Sequence, residues 1–372
     1  MPVLELAEEL EVTPELALSI VRCAEASSGV GEGREGGGRE GGGREGGGRE
    51  GGGRDGGREV LTAKDIYARH RPRPLITFCQ AIDKMLGGGI QTGQITELCG
   101  VPGIGKTQMG IQLALNCQIP EAFAGLGGEC VYIDTEGSFM VERVAEMAGE
   151  IAAHLTKLVS KTVAQKAKSQ DSIVAQLTAA QGMTVDRFLE GIQVFRAHDQ
   201  TETLATINHL SAFLRLHTRV KLVIVDSIAF HFRQEGDAIA RARQLSGVAQ
   251  VLNKAAFEHQ VAVVVVNHVT TRFERGYGGG VQRLVPALGE QWSHLVTNRL
   301  MLHWTATGVG MGGIGAGRSV RTASLVKSPS MPFHSAQYVI TEKGIRDLPQ
   351  VRCALCVIRC TLSNLRFHPP FF

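Results

Sequence analysis

Eight consecutive residues, Gly100 to Thr107 (GVPGIGKT), fit the pattern G-x-x-x-x-G-K-[ST]. Glycines at this spacing let successive backbone amides turn toward one anion, and a helix N-terminus adds a favourable field. An apolar stretch, ITELC, precedes the loop, and a helical one, QMGIQLALNC, follows it. That context predicts a phosphate cradle built from Gly100, Val101, Pro102, Gly103, Ile104, Gly105, Lys106 and Thr107. In such a cradle Lys106 reaches the β- and γ-phosphates and the Thr107 hydroxyl binds Mg2+, so ATP and Mg2+ are the expected ligands.

Two carboxylates stand at the ends of apolar runs. Asp226 closes LVIVD, where an unpaired carboxylate is costly unless a cation or donor meets it. It reads as the second Mg2+ residue, acting through the metal's water shell, with a helix N-cap as the alternative. Glu136, in VYIDTEGSF, is the candidate base or water-orienting group that phosphoanhydride hydrolysis needs. Its neighbour Asp134 reads as a structural hydrogen-bonder.

These residues need a scaffold that brings distant strand ends together. From residue 75 onward the apolar runs GQITELCG, CVYIDTEG, GIQVFRA, VKLVIVDS and VAVVVVNH alternate with longer helical stretches. Continuous apolar strands separated by helices predict a parallel sheet covered on both faces. Residues 149–190 read as helix. TASLVKS and AQYVITEKGI, separated by short turns, read as hairpins extending the sheet, with the glycine-rich 308–317 as the tip of one.

Outside that block the composition changes. Residues 4–26 show helical periodicity, with Thr13 and Pro14 opening a helix. Residues 29–58 repeat GGGRE about five times; with no apolar side chain after Val30 they read as a linker spanning on the order of 30 Å. Arginine beside glycine also suits nucleic acid, but each arginine is followed by an acid that cancels it. The expected order is a helical piece at 1–28, a linker at 29–59, a partner-binding segment at 60–74, the main domain at 75–347 and a tail at 348–372.

The net charge of +3 gives no general reason to expect a nucleic-acid partner, so any such surface must be local. Eight scattered cysteines and an acidic, amphipathic start suggest a reducing compartment and no signal peptide. No apolar run approaches the roughly 20 residues that cross a bilayer, so no membrane partner is expected. Cys353, Cys356 and Cys360 have partial metal spacing without the second pair such a site needs.

The strings LCGVPGIGKTQ, VYIDTEGSFMVERV, LVIVDSIAF and LVPALGEQWSHLVTNRLMLHW, in this order, resemble the RecA-like strand-exchange ATPases of eukaryotes and archaea. The resemblance is closest to their recombinase-paralog branch, the C-type paralog. It covers residues 75 to about 347 well and 4–26 weakly. Gln108 directly after the phosphate loop, and DTEG between the two phosphate-site motifs, carry most of its specificity.

The resemblance implies an α/β, RecA-like P-loop core with a mostly parallel sheet flanked by helices and C-terminal antiparallel hairpins. It implies a DNA-dependent ATPase of homologous recombination and double-strand-break repair, acting in the nucleus on single-stranded or branched DNA. It makes Glu136 the water-activating acid, places Gln108 and Arg143 around the nucleotide, and stacks Arg143 on adenine. Lys327 falls where a neighbour's γ-phosphate charge is neutralised in trans, an ordinary surface lysine being the alternative. Arg233 belongs to a first DNA loop, and Arg272, Arg275 and Arg283 to a second. Asn267 and His268 are expected to face ATP, with His268 in place of a family glutamine that senses the γ-phosphate.

The family's Phe-x-x-Ala strand, which adds to the next subunit's sheet, aligns with Val60 to Ala63, where only the alanine matches. Hetero-complexes with paralogous recombinase subunits are therefore expected over long homofilaments. A nucleotide-binding scaffold subunit with little hydrolysis of its own is the alternative.

Overall fold

The structure is a computed structural model that describes residues 62–65, 73–165, 170–232, 238–276, 279–305 and 320–348. The expected N-terminal piece, the repeat linker, Val60, Arg233, the stretch 308–317 and the cysteine-bearing tail lie outside these residues, as do the side chains of Arg275 and Arg283.

Strands β1 (Pro74–Leu75) and β2 (Ile90–Gln91) pair antiparallel around helix α1 (Gln80–Met85). Then come β3 (Ile95–Gly100), α2 (Lys106–Asn116), β4 (Glu129–Asp134), α3 (Val141–Gln165), α4 (Gln170–Gln181), α5 (Val185–Glu190) and β5 (Ile192–Arg196). Next are α6 (Gln200–Leu216), β6 (Val220–Asp226), α7 (Ile228–Phe232), α8 (Ala238–His259) and β7 (Ala262–Gly276). The last described elements are β8 (Gly279–Pro286), α9 (Gly289–Leu295), β9 (Asn298–Trp304), β10 (Arg321–Lys327), β11 (His334–Thr341) and β12 (Gly344–Asp347).

The main sheet runs β12, β11, β10, β9, β3, β7, β6, β4, β5, and β8 pairs with β7. From β9 to β5 every pairing is parallel; β10, β11 and β12 continue it antiparallel. This is the fold class the sequence implies. The unbroken valines of β7 follow from burial on both faces. Val264 joins Ile111, Leu115 and Met147 on the side of α2 and α3, while Val263 and Val265 join Ile207, Leu210 and Leu252 on the side of α6 and α8. Each such valine contributes roughly 1.5 to 3 kcal/mol by leaving water.

Three expectations change. The helical stretch 149–190 is divided, because the Thr184 hydroxyl accepts the Arg187 amide at 3.2 Å and starts α5 anew. The segment expected as the second DNA loop is a β-hairpin, in which Arg272 stands opposite Arg283 and Arg275 opposite Gly280. Residues 63–65 form a helical turn and not an extended strand. Thr62 donates its amide (3.0 Å) and hydroxyl (2.6 Å) to the Asp65 carboxylate, which caps the turn.

Register aligns the chemistry. Asp134 lies beside Asp226, and Gly100 beside His268. The C-terminal ends of β3, β4, β6 and β7 thus meet in one crevice, where open parallel sheets bind ligands.

Candidate functional site

The loop from Gly100 to Thr107 turns out of β3 and becomes the first turn of α2. Gly105, with φ +103°, is the helix N-cap, a backbone state that favours glycine. Ile104 is fully buried beneath the loop. Lys106 folds its ammonium onto the carbonyls of Gly100 (3.0 Å) and Val101 (3.1 Å).

Asp226 is buried, and its Oδ2 accepts the Tyr132 hydroxyl at 2.7 Å. Burial pushes its carboxyl pKa up, against hydrogen bonds from the hydroxyls of Tyr132 and Thr107 that hold it down. A buried acid beside a threonine hydroxyl at the helix start offers hard oxygens, and Thr107 and Asp226 fit the role of holding Mg2+. No cluster of three or more His, Cys, Asp or Glu side chains is arranged for a metal among the described residues.

Glu136 sits across the crevice with its side chain 26% exposed. Its Oε1 receives the Ser227 hydroxyl and lies 2.7 Å from His268 Nε2. The hydrogen bond from His268 is the main cause that lowers the Glu136 pKa, so the carboxylate is ionised at neutral pH. Asp134 is structural: it accepts the amides of Glu136 (3.3 Å), Ser138 (3.1 Å) and Phe139 (3.2 Å) and so shapes the loop that carries Glu136.

Arg143 closes another side. Its Nε donates to Gln108 Oε1 at 3.0 Å, and its two terminal nitrogens donate to the carbonyls of Thr341 (2.6 Å) and Glu342 (2.8 Å). The guanidinium plane is thereby fixed at the rim of a cleft of about 640 Å³ lined also by Ile340, Lys343 and Arg346. Ile340 abuts Gly105, so the cleft adjoins the phosphate loop.

One expectation is corrected here. The pair at the end of the parallel part of β7 does not face the crevice together. His268 turns to Glu136, but Asn267, on the opposite face of the strand, is fully buried and donates to Glu97 Oε1 at 2.7 Å. Lys327, expected to act on a neighbour's nucleotide, lies away from this crevice. Strand β10 runs antiparallel to β9, so Lys327 lies at the other end of the sheet, beside Arg299, whereas Ala323 is level with Leu302 and Gly100. Its ammonium donates to the carbonyls of Ser293 (2.6 Å), His294 (3.3 Å) and Val296 (2.6 Å), capping the C-terminus of α9. From there it can meet a nucleotide only on a neighbouring subunit.

On the hairpin, Arg272 makes an exposed ion pair with Glu290 at 3.4 Å. Between α8 and α9 lies a groove of about 730 Å³ whose lining includes Arg241, Arg243, Gln250 and Trp292. Both arginines are exposed, and the sequence reading passed over them. Their alternate spacing in RARQ, shortly after Arg233 in the sequence, was the available signal.

A P-loop at the end of a central parallel strand, a buried acid beside its threonine, and a glutamate facing both define a RecA-like nucleotide-binding core. The Rad51 family model matches residues 69–188 and 171–348. The chain belongs to the Rad51 family. It is 42% identical over 274 residues to the DNA repair protein RAD51 homolog 3 of Cricetulus griseus, covering 73% of this chain and 68% of that protein. To the protein of the same description from Dictyostelium discoideum it is 38% identical over 284 residues, covering 76% and 68%. No described helix is long and apolar enough to cross a membrane.

Proposed function

We propose that this chain is the ATP-binding, DNA-stimulated ATPase subunit of a recombinase-paralog complex, acting in homologous recombination and double-strand-break repair in the nucleus. The observation that carries the reading is an ionised Glu136 held beside His268 at the mouth of an intact phosphate loop. The relatives' description as DNA repair proteins supports the process.

In this reading the loop amides and Lys106 bind the phosphates, Arg143 and Gln108 hold the base end, and Glu136 takes a proton from the attacking water. Thr107 and Asp226 hold Mg2+, which when bound neutralises charge on the β- and γ-phosphates. The hairpin arginines, Arg272, Arg275 and Arg283, with Arg233 in the first loop, contact DNA phosphates without reading bases. Replacing Glu136 by Gln keeps the shape and removes the base, so turnover should be lost while nucleotide affinity is retained. Unchanged hydrolysis in that variant would remove Glu136 from the role of base; negligible hydrolysis by the wild type would favour the scaffold reading, which the valine at position 60 also favours.

A further inference from the structure

We propose that Ser227 is a positioning residue, acting with His268 to present one defined oxygen of Glu136 to the attacking water. The inference rests on the reading of Glu136 as the base. Ser227 has one hydroxyl proton to give, and it goes to Glu136 Oε1. His268 Nε2 lies 2.7 Å from that same oxygen and 3.2 Å from Ser227 Oγ. Both contacts fall on Oε1, and Oε2 has no hydrogen-bond partner among the described residues. A carboxylate gripped twice through one oxygen cannot rotate freely, so its other oxygen points in one direction.

The grip is built into the backbone. Thr135 accepts the Ser227 amide at 2.8 Å and donates its hydroxyl to the Ser227 carbonyl at 2.8 Å. The register that sets Asp134 beside Asp226 brings the residues after them, Thr135 and Ser227, together. The three amides on Asp134 then fix the start of the loop bearing Glu136. Ser227 is buried, and none of these bonds serves the phosphate cradle itself.

The step it serves balances simply. The water oxygen bonds to the γ-phosphorus, the bond from phosphorus to the bridging oxygen breaks with its electron pair leaving on ADP, and the water proton passes to Oε2. Ser227 exchanges nothing in this step; it only holds the acceptor in place.

The test uses the full chain with its DNA and partners, comparing S227A, S227C, S227T and E136Q by kcat, KM and binding of a fluorescent ATP analogue. A lost hydrogen bond to a charged group predicts about a tenfold fall in kcat for S227A, with KM and analogue affinity unchanged, and recovery in S227T. Should S227A fail to melt cooperatively, S227C, close in size and a weak donor, gives the same readout. Wild-type kcat in S227A or S227C while E136Q is inactive overturns the positioning role and leaves the base reading intact. A loss of affinity that matches the loss of kcat, or an S227T as impaired as S227A, also overturns it. Turnover by E136Q defeats the base reading instead.

Discussion

His268 closes the parallel part of β7 at the lip of the crevice, and its ring touches the carboxylate proposed as the base. Replacing His268 by Ala removes the nitrogen that lies 2.7 Å from Glu136 Oε1. DNA-stimulated kcat should therefore fall in H268A while nucleotide affinity is retained; a wild-type kcat would count against a role of the ring in holding Glu136. Lys106 and Thr107 were legible as candidates because they belong to one contiguous string whose spacing is itself the chemistry, and Asp226 and Glu136 because each is an acid at the end of an apolar run. Ser227 was not, since its partner is 91 residues away and only the register of β4 against β6 joins them.

Among elements, the least legible feature is the anchor of the hairpin. Glu97, fully buried in the central strand, accepts Asn267 Nδ2 from β7 (2.7 Å), Trp292 Nε1 from α9 (2.9 Å) and Arg299 Nε from β9 (2.5 Å). One carboxylate thus ties together the strand entering the hairpin and the helix that follows it. A buried charge with three donors repays its desolvation only while all partners are present. Removing it in E97A leaves the Arg299 guanidinium buried and uncompensated, for a loss of about 3 to 5 kcal/mol in urea unfolding. A loss under about 1 kcal/mol would show that water replaces the carboxylate. The strands themselves were readable, since burial on both faces produces runs such as VAVVVV. The inward turn of Asn267 was not: it depends on a glutamate 170 residues away.

At the scale of the whole molecule, the nucleotide crevice and Lys327 occupy opposite ends of one sheet. A lysine so placed serves only a neighbour's nucleotide, and only after leaving the carbonyls of α9, so that role remains a proposal tied to assembly. On the proposed partner-dependent reading, Val60 fills an aromatic anchor site less well than phenylalanine, at a loss of about 1 kcal/mol or more. Light scattering of the purified chain with ATP and single-stranded DNA should show little self-association, rising in V60F; long filaments of the wild type would refute this.

The hairpin's root has a mechanical consequence. Asn267 is pinned through Glu97, and the Ala287 amide donates to the His268 carbonyl at 2.9 Å, so both legs are clasped at one point. From Val269 to Gly276 the strand then projects roughly 23 Å. A displacement of about 0.5 Å at His268, acting across about 5 Å to the neighbouring strand, tilts the pair by about 6° and sweeps its tip by about 2 Å. With its short arm resting on Glu136, the proposed base, the hairpin would turn an adjustment smaller than a bond length at that residue into a stroke comparable to the spacing between neighbouring phosphate oxygens.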